Sequence, residues 1–456
     1  MRVRGLLALA LAVGAASTFG GCGELKTGIA PAGQDGGTPA EGEDTSGLED
    51  GGAEGRNDSS VKPDLSSVKV PIENDTLIAG SLSIASDADG RVSLAWLDTP
   101  SAQRHLHVAL VAGDENPPRV IVTSDTALES NAISLGQAVS TFAPSKGCFG
   151  LVWGQAGMLN VAKISGDAKP GPSSVLATMS EGPIARLSQV RTAVGAGNDV
   201  LVAWSEVARF NGDATGTFHS ASLRFAGCTP GTTTIDDVPL AEGLPHQSAP
   251  AGAPEVAVAH ADGAFHAAFQ RTSGGSVLGT SHRTRGAGDW SSAATVDDGG
   301  TVSAGGSIGV TAAAGATVFA YYRRTSDTLA DLVVTTIGPG ASRKETVLET
   351  GILAGMSAAT SLEAARLAIA HRPLLGPVIA AVFARDAQTS ELRIYRADKT
   401  APNGFRSELF DTNVFGPKGG GDAHPLVDVA TDGSDRIHVA WRSGATKHLT
   451  YARLEP

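Results

Sequence analysis

The stretch Asp89-Gly90-Arg91-Val92-Ser93-Leu94-Ala95-Trp96 reads as a tight turn feeding a strand. Gly90 supplies the positive φ that such a turn needs at little steric cost. In Arg91–Trp96, Val92, Leu94 and Trp96 point one way while Ser93 and Ala95 point the other, the period of a strand. The same design recurs as CFGLVW (148–153), DVLVAW (199–204), AFHAAF (264–269), GATVFAY (315–321), VIAAVF (378–383) and RIHVAW (436–441). The aromatic anchors are Trp96, Trp153, Trp204, Phe269, Tyr321, Phe383 and Trp441, at a mean spacing of 57.5 residues. Four of the five tryptophans occupy this one repeat position, so the pattern is a repeat and not a coincidence of composition.

Small residues precede most anchors: Ala95, Ala203, Ala268, Ala320 and Ala440. Large on one face and small on the other suits a sheet stacked on both sides by its neighbours. A third strand follows each anchor: HLHVAL (105–110), MLNVAKI (158–164), HSASLRF (219–225), VLGTSHR (277–283), DLVVTTI (331–337), ELRIYRA (391–397) and HLTYARL (448–454). A short fourth strand is expected at Arg119–Thr123, Ser174–Ala177, Thr232–Ile235, Ala294–Val296 and Glu345–Leu348. Units of this size predict an all-β fold, a β-propeller of seven blades with three to four antiparallel strands each. Six or eight blades are the alternatives, because two anchor gaps are long. Helical pattern is confined to Ser361–Ala370. An apolar segment, Leu65–Ile72, precedes the first repeat and is expected to add the outer strand that the last repeat lacks, removing an exposed edge.

Before the repeats, Met1–Cys22 reads as an export address. Arg2 and Arg4 precede an apolar run, Gly5–Ser17, too short to span a bilayer. The run ends at Phe19-Gly20-Gly21-Cys22. Small residues just before a cysteine resemble the lipobox of bacterial lipoproteins, with Phe19 where that family usually has Leu. The resemblance implies cleavage after Gly21, acylation of Cys22, and a lipid-anchored place in a bacterial cell envelope, at the outer membrane or the cell surface. Ordinary cleavage near Ala15–Ser17 is the alternative. Signal residues 1–21 are thus followed by a tether, 22–64. Between Gly23 and Ser60 nine acids face two bases among Gly, Pro, Ser and Thr. Such a segment cannot offset its ordering entropy, so it is expected to stay disordered and extended. Residues 65–456 form the propeller domain.

The fourth repeat, AFHAAFQRTSGGSVLGTSHRTRGAGDWSSAATVDD (264–298), resembles blades of the sialidase-like, BNR-type propellers. In these a strand, a polar loop and a second strand lead to a Gly-rich turn with Trp, here Gly288-Asp289-Trp290. The stricter Ser-x-Asp-x-Gly-x-Thr-Trp box is absent, as are WD-repeat and kelch signatures. The enzymes of that family use three arginines, a Tyr nucleophile with a Glu partner, and an Asp acid. Tyr321, Tyr322, Tyr395 and Tyr451 lie in strands with no Glu partner that the sequence assigns, and the early Arg-Ile-Pro motif is missing. The resemblance therefore carries fold further than activity.

With 35 Lys and Arg against 47 Asp and Glu, the net charge of −12 argues against a nucleic-acid partner. Three cysteines exclude a disulfide-dense scaffold. No catalytic residue set, metal set or cofactor fingerprint stands out. Gly305-Gly306-Ser307-Ile308-Gly309 matches Gly-x-Ser-x-Gly without the strand-then-helix context of a nucleophile elbow. Asp87-Ala88-Asp89-Gly90 lacks the further oxygens of a calcium loop and reads as a turn. His105 and His107 share a strand face, which suits a metal, but no third ligand is evident. Cys148 and Cys228 fall at one rim of adjacent blades and are expected to pair in an oxidising compartment, the alternative being two buried thiols. Arg271, Arg323, Arg385 and Arg442 recur just after the anchors and are expected on one face of the disc, where guanidinium forks suit an acidic glycan or protein. Solvated strand ends, or partners of acids such as Asp331 or Glu391, are the alternatives. Two functions follow: a membrane-tethered binding or scaffold propeller for a glycan or protein partner, or a secreted sialidase-like glycoside hydrolase.

Overall fold

The structure is a computed structural model and describes residues 67–70, 77–98, 105–128, 139–155, 157–178, 186–210, 213–231, 233–234, 241–247, 256–273, 276–297, 303–326, 328–353, 365–385, 389–412, 414, 426–442 and 449–456. The expected signal, tether and Cys22 lie outside them. The described residues form antiparallel strands and three short 3-10 turns, with no α-helix. Of the stretch with helical pattern, residues 361–364 lie outside the described residues and the rest belongs to a strand, Ala365–Arg372. Its local preference yields to pairing with Gly376–Ala384, which buries Leu367.

Each anchor sits on the second strand of its repeat's antiparallel meander, which has four or five strands in the first six repeats and three in the last. The first repeat runs Leu77–Ser86, Arg91–Asp98, His105–Ala112 and Arg119–Ala127. The second runs Val139–Ser145, Cys148–Gln155, Met158–Ile164 and Ser174–Thr178. The first strands pack side by side in chain order, from Leu77–Ser86 through Val139–Ser145, Arg186–Val194, Val256–Ala261, Ser303–Ala313 and Ala365–Arg372 to Val427–Thr431. The last then packs against the first, which closes a ring, and the chain is an all-β propeller.

The expectation of seven separate blades is corrected. Hydrogen bonding gives six sheets. Five are separate sheets of four or five strands, and the sixth has eight. The eight-stranded sheet arises because the long outer strand Arg343–Leu353 of the fifth repeat reaches the second strand of the sixth, where Leu353 pairs with Ala384. Closure uses the N-terminal side: Ser67–Val70 pairs antiparallel with Leu449–Leu454, Val68 opposite Tyr451. That strand lies within the segment Leu65–Ile72 expected to supply it.

All seven anchors are buried. In Arg91–Asp98 the two faces go to different neighbours. Leu94 and Trp96 pack with Ala440 and Tyr451 of the last repeat. Ala95 and Leu97 pack with Phe149 and Trp153 of the second. The alternation of large and small is therefore a two-sided sandwich, and each sheet lends its apolar faces to both neighbours. The inner turns tie the repeats together. Asp87 accepts from the N–H groups of Asp89 and Arg91 and, with its other oxygen, from Gly147 of the next repeat at 2.8 Å. Asp262 does the same for Gly315 at 2.7 Å. Gly90, at φ +90°, makes the turn that aims Asp87 this way. Asp87-Ala88-Asp89-Gly90 is thus a strand turn whose carboxylate clasps a neighbour.

Candidate functional site: the central channel

The ring encloses a channel of about 140 Å³ walled by the first strands. Its lining is divided by chemistry. Going round the ring from the last repeat to the third, the wall offers Asp428, Ser83, Ser140 with Thr141, and Arg191 with Thr192. The remaining three repeats offer Ala257, Val258, Ile308, Val310, Leu367 and Ile369. Half of the wall is hydrogen-bonding and half apolar. The apolar half is also tight: a Cβ on Gly309 would come within 2.5 Å of Ile369 Cγ2. Only a residue without a side chain lets the fifth and sixth first strands approach this closely.

The polar half is a network. Ser140 Oγ and Thr192 Oγ1 share a hydrogen bond of 2.8 Å, and the Thr141 N–H donates to Ser83 Oγ. Asp428 accepts from the backbone N–H groups of Ile84 and Val429 at 2.9 and 3.0 Å. It lies deep in the ring, with access to the channel. Burial raises its pKa from the ordinary aspartate value, against the opposing pull of the Arg191 charge and of its hydrogen bonds. Asp428 and Arg191 are opposite charges on strands separated by the serine and threonine wall.

Sequence reasoning missed this site. The signal is present: Ser83, Ser140, Arg191 and Asp428 each precede their anchor by thirteen residues. Aligning the first strands on the anchors brings the four polar positions into one row.

The residues singled out from the sequence fall elsewhere. Arg323 donates to Glu345 at 2.7 Å and to the Tyr321 hydroxyl, with Asp297 at 3.7 Å. Its hydrogen bond with Glu345 raises the guanidinium pKa and lowers that of the carboxyl. Arg385 donates to Glu349 at 2.6 Å and lies over the Phe383 ring, with Glu391 at 3.4 Å. These two guanidiniums are held by carboxylates of their own and neighbouring repeats' outer strands. Arg442 is buried in the last repeat. Arg271 lies in the strand Ala264–Ser273, and its side chain is outside the described residues. Cys148 and Cys228 are joined by a disulfide, Cα atoms 5.6 Å apart, linking the second and third repeats. The Gly-x-Ser-x-Gly stretch runs inside the strand Ser303–Ala313, so no elbow is formed.

One expectation about tyrosines is corrected. Tyr395 does have a Glu partner: its hydroxyl donates to Glu349 at 2.9 Å. Sequence distance hid the pair, because Glu349 belongs to the outer strand of the preceding repeat. Tyr395 is fully buried, and burial pushes its pKa well up, so the hydroxyl is a buried donor and not an available nucleophile.

Comparison with known proteins adds the following. No protein-family model and no curated protein matches the chain. Among solved structures it is similar to the GH93 α-L-arabinofuranosidase of Fusarium graminearum in complex with arabinobiose, at 9% identity and TM-score 0.39, covering 86% of this chain and 97% of that one. It is similar to a subtype N11 neuraminidase-like protein of A/flat-faced bat/Peru, at 6% identity and TM-score 0.38, covering 75% and 91%. It is also similar to the SapL1 lectin in complex with α-methyl fucoside, at 10% identity and TM-score 0.39, covering 70% and 93%. At these identities and scores the likenesses carry no argument about ligand or reaction, so function has to be argued from the channel.

Proposed function

We propose that the chain is a membrane-tethered, extracytoplasmic binding propeller that takes the end of a glycan into its central channel. The observation that carries this reading is the two-sided wall. A sugar unit presents hydroxyls around its rim and apolar C–H patches on its faces, and a pocket for it needs directed polar groups beside an apolar wall. Asp428 and Arg191 supply an acceptor and a donor fork, and Ser83, Ser140, Thr141 and Thr192 supply hydroxyls that serve as either. At about 140 Å³ the channel holds a terminal unit or its substituents, with the rest of the ligand over the face of the disc.

Binding is favoured over sialidase-like hydrolysis because that chemistry sets a Tyr nucleophile and its Glu partner beside an Asp acid, and the described residues lining the channel include neither Tyr nor Glu. Among the described residues lining the channel, Asp428 is the only carboxylate. A glycan screen on the full chain, repeated with Asp428→Asn and Arg191→Gln, tests the reading. Each variant is expected to weaken the best glycan at least tenfold with little change in melting temperature. Retained affinity in both overturns it. Because the Asp428 pKa is raised, binding that needs the carboxylate is expected to fall with acidification at a pH above the ordinary aspartate range.

The tether rests on the sequence: Arg2, Arg4, the short apolar run and Gly20-Gly21-Cys22. Acyl chains on Cys22, each buried methylene contributing ~0.8 kcal/mol, anchor the chain firmly. Cys22→Ser is expected to move the protein from the membrane to the soluble fraction. A Ser variant that fractionates like the parent removes the anchor from the account.

A further inference from the structure

The geometry points to a divalent transition-metal site on the outer part of the first repeat, formed by His105, His107 and Asp125. His105 and His107 lie two apart on the strand His105–Ala112, and Asp125 lies directly opposite His107 on Arg119–Ala127. In antiparallel sheets directly opposite residues share a face, as do residues two apart. Pleat and register thus bring two imidazoles and one carboxylate together. One ligand atom from each lies within 4.8 Å of the other two. His105 Nδ1 and Asp125 Oδ1 are already 2.7 Å apart. A tetrahedral ion with bonds of about 2.0–2.1 Å holds its ligand atoms roughly 3.3 Å apart, so small side-chain shifts complete the set.

The surroundings suit a ligand site. His107 is buried and stacked on Trp96, ring centroids 5.0 Å apart and nearly parallel. This fixes one ligand before any ion arrives, and such preorganisation reduces the ordering cost of binding. His105 and Asp125 remain partly open to solvent, with side-chain exposures of 20% and 44%, so the ion has an entry path. Two imidazoles select against Ca²⁺ and Mg²⁺, which take oxygen ligands. Two nitrogens and one oxygen suit Zn²⁺ or a neighbour in the first transition row, with solvent completing the coordination.

The test is calorimetric titration of Zn²⁺ into the full chain, first stripped with a chelator. One specific equivalent is expected. His105→Ala and Asp125→Asn are each expected to weaken it at least tenfold and to leave thermal unfolding of the metal-free protein nearly unchanged. His107→Ala is not the deciding variant, because it also removes packing on Trp96. Co²⁺ supplies a second readout: visible bands of the intensity of a four- or five-coordinate ion in the parent, lost in both variants. Absence of binding at micromolar Zn²⁺, or binding that neither substitution alters, overturns the site.

Discussion

His282 shows what burial does to a single side chain here. It is stacked on His266, with Nε2 3.3 Å from His266 Nδ1, and meets the edge of Phe319. Burial, with a smaller contribution from His266, lowers its pKa from 6.5 to about 4. Burial also lowers His266, His371 and His438. In each case the folded state prefers the neutral ring, so the unfolded chain binds more protons below pH 6.5. The stabilisation is complete above pH 6.5 and is lost as pH falls towards the folded value, for His282 towards about 4. At 1.36 kcal/mol per pKa unit, His282 alone contributes at most about 3 kcal/mol across that window. Asp432 acts in a lower window. Burial works to raise its pKa, but hydrogen bonds from His438, the Ser434 N–H and Arg436 outweigh that and hold it at about 2. Its contribution is present above the unfolded value near 4 and lost between there and about 2. Urea midpoints measured from pH 7.5 to 4 are expected to fall steeply, and less so in His282→Gln. A flat profile contradicts the burial of these rings.

At the scale of the element, the second strands were legible in the sequence. A rare aromatic at a fixed place, a small residue before it and a Gly turn ahead are local signals. An apolar first strand ahead of each turn was expected, but its bounds and register were not legible. The first strands are rich in Ala, Gly and Ser, and their register slips, as between Leu77 and Leu82 or between Ser303 and Ile308. Periodicity blurs where the pairing is irregular. The channel is built from these strands, so the candidate site was hidden together with their register. Asp125 was hidden for a related reason: its place beside His107 is a matter of register between two strands, which no local spacing reports. The closing strand was legible because an apolar segment stood ahead of an incomplete last repeat. Removing residues up to Pro71 is expected to bare the edge of Leu449–Leu454, lower the melting temperature and promote self-association visible by light scattering. A truncated chain that stays monomeric with unchanged melting contradicts closure by Ser67–Val70.

At the scale of the whole molecule, each sheet leans on two neighbours, and the ring leaves one polar and apolar channel where the first strands meet. The mismatch between expected and observed sheets has a local origin, the single bridge from Leu353 to Ala384, and the meander in each repeat is unaffected. The arginines that recur after the anchors illustrate the difference between sequence periodicity and a site. Recurrence brings Arg323 and Arg385 to corresponding positions, yet carboxylates of the strand Arg343–Leu353 take up hydrogen bonds from both. Asp428 and Arg191 recur less obviously, but they belong to the strands that face the axis. The most direct measurement is a crystal structure of the protein with the tightest glycan from the screen. The account predicts density for a terminal sugar unit in the channel, hydrogen-bonded to Asp428 and Arg191, with its apolar face on Ile308 and Leu367. Glycan density on the outer rim, with only water in the channel, would contradict it.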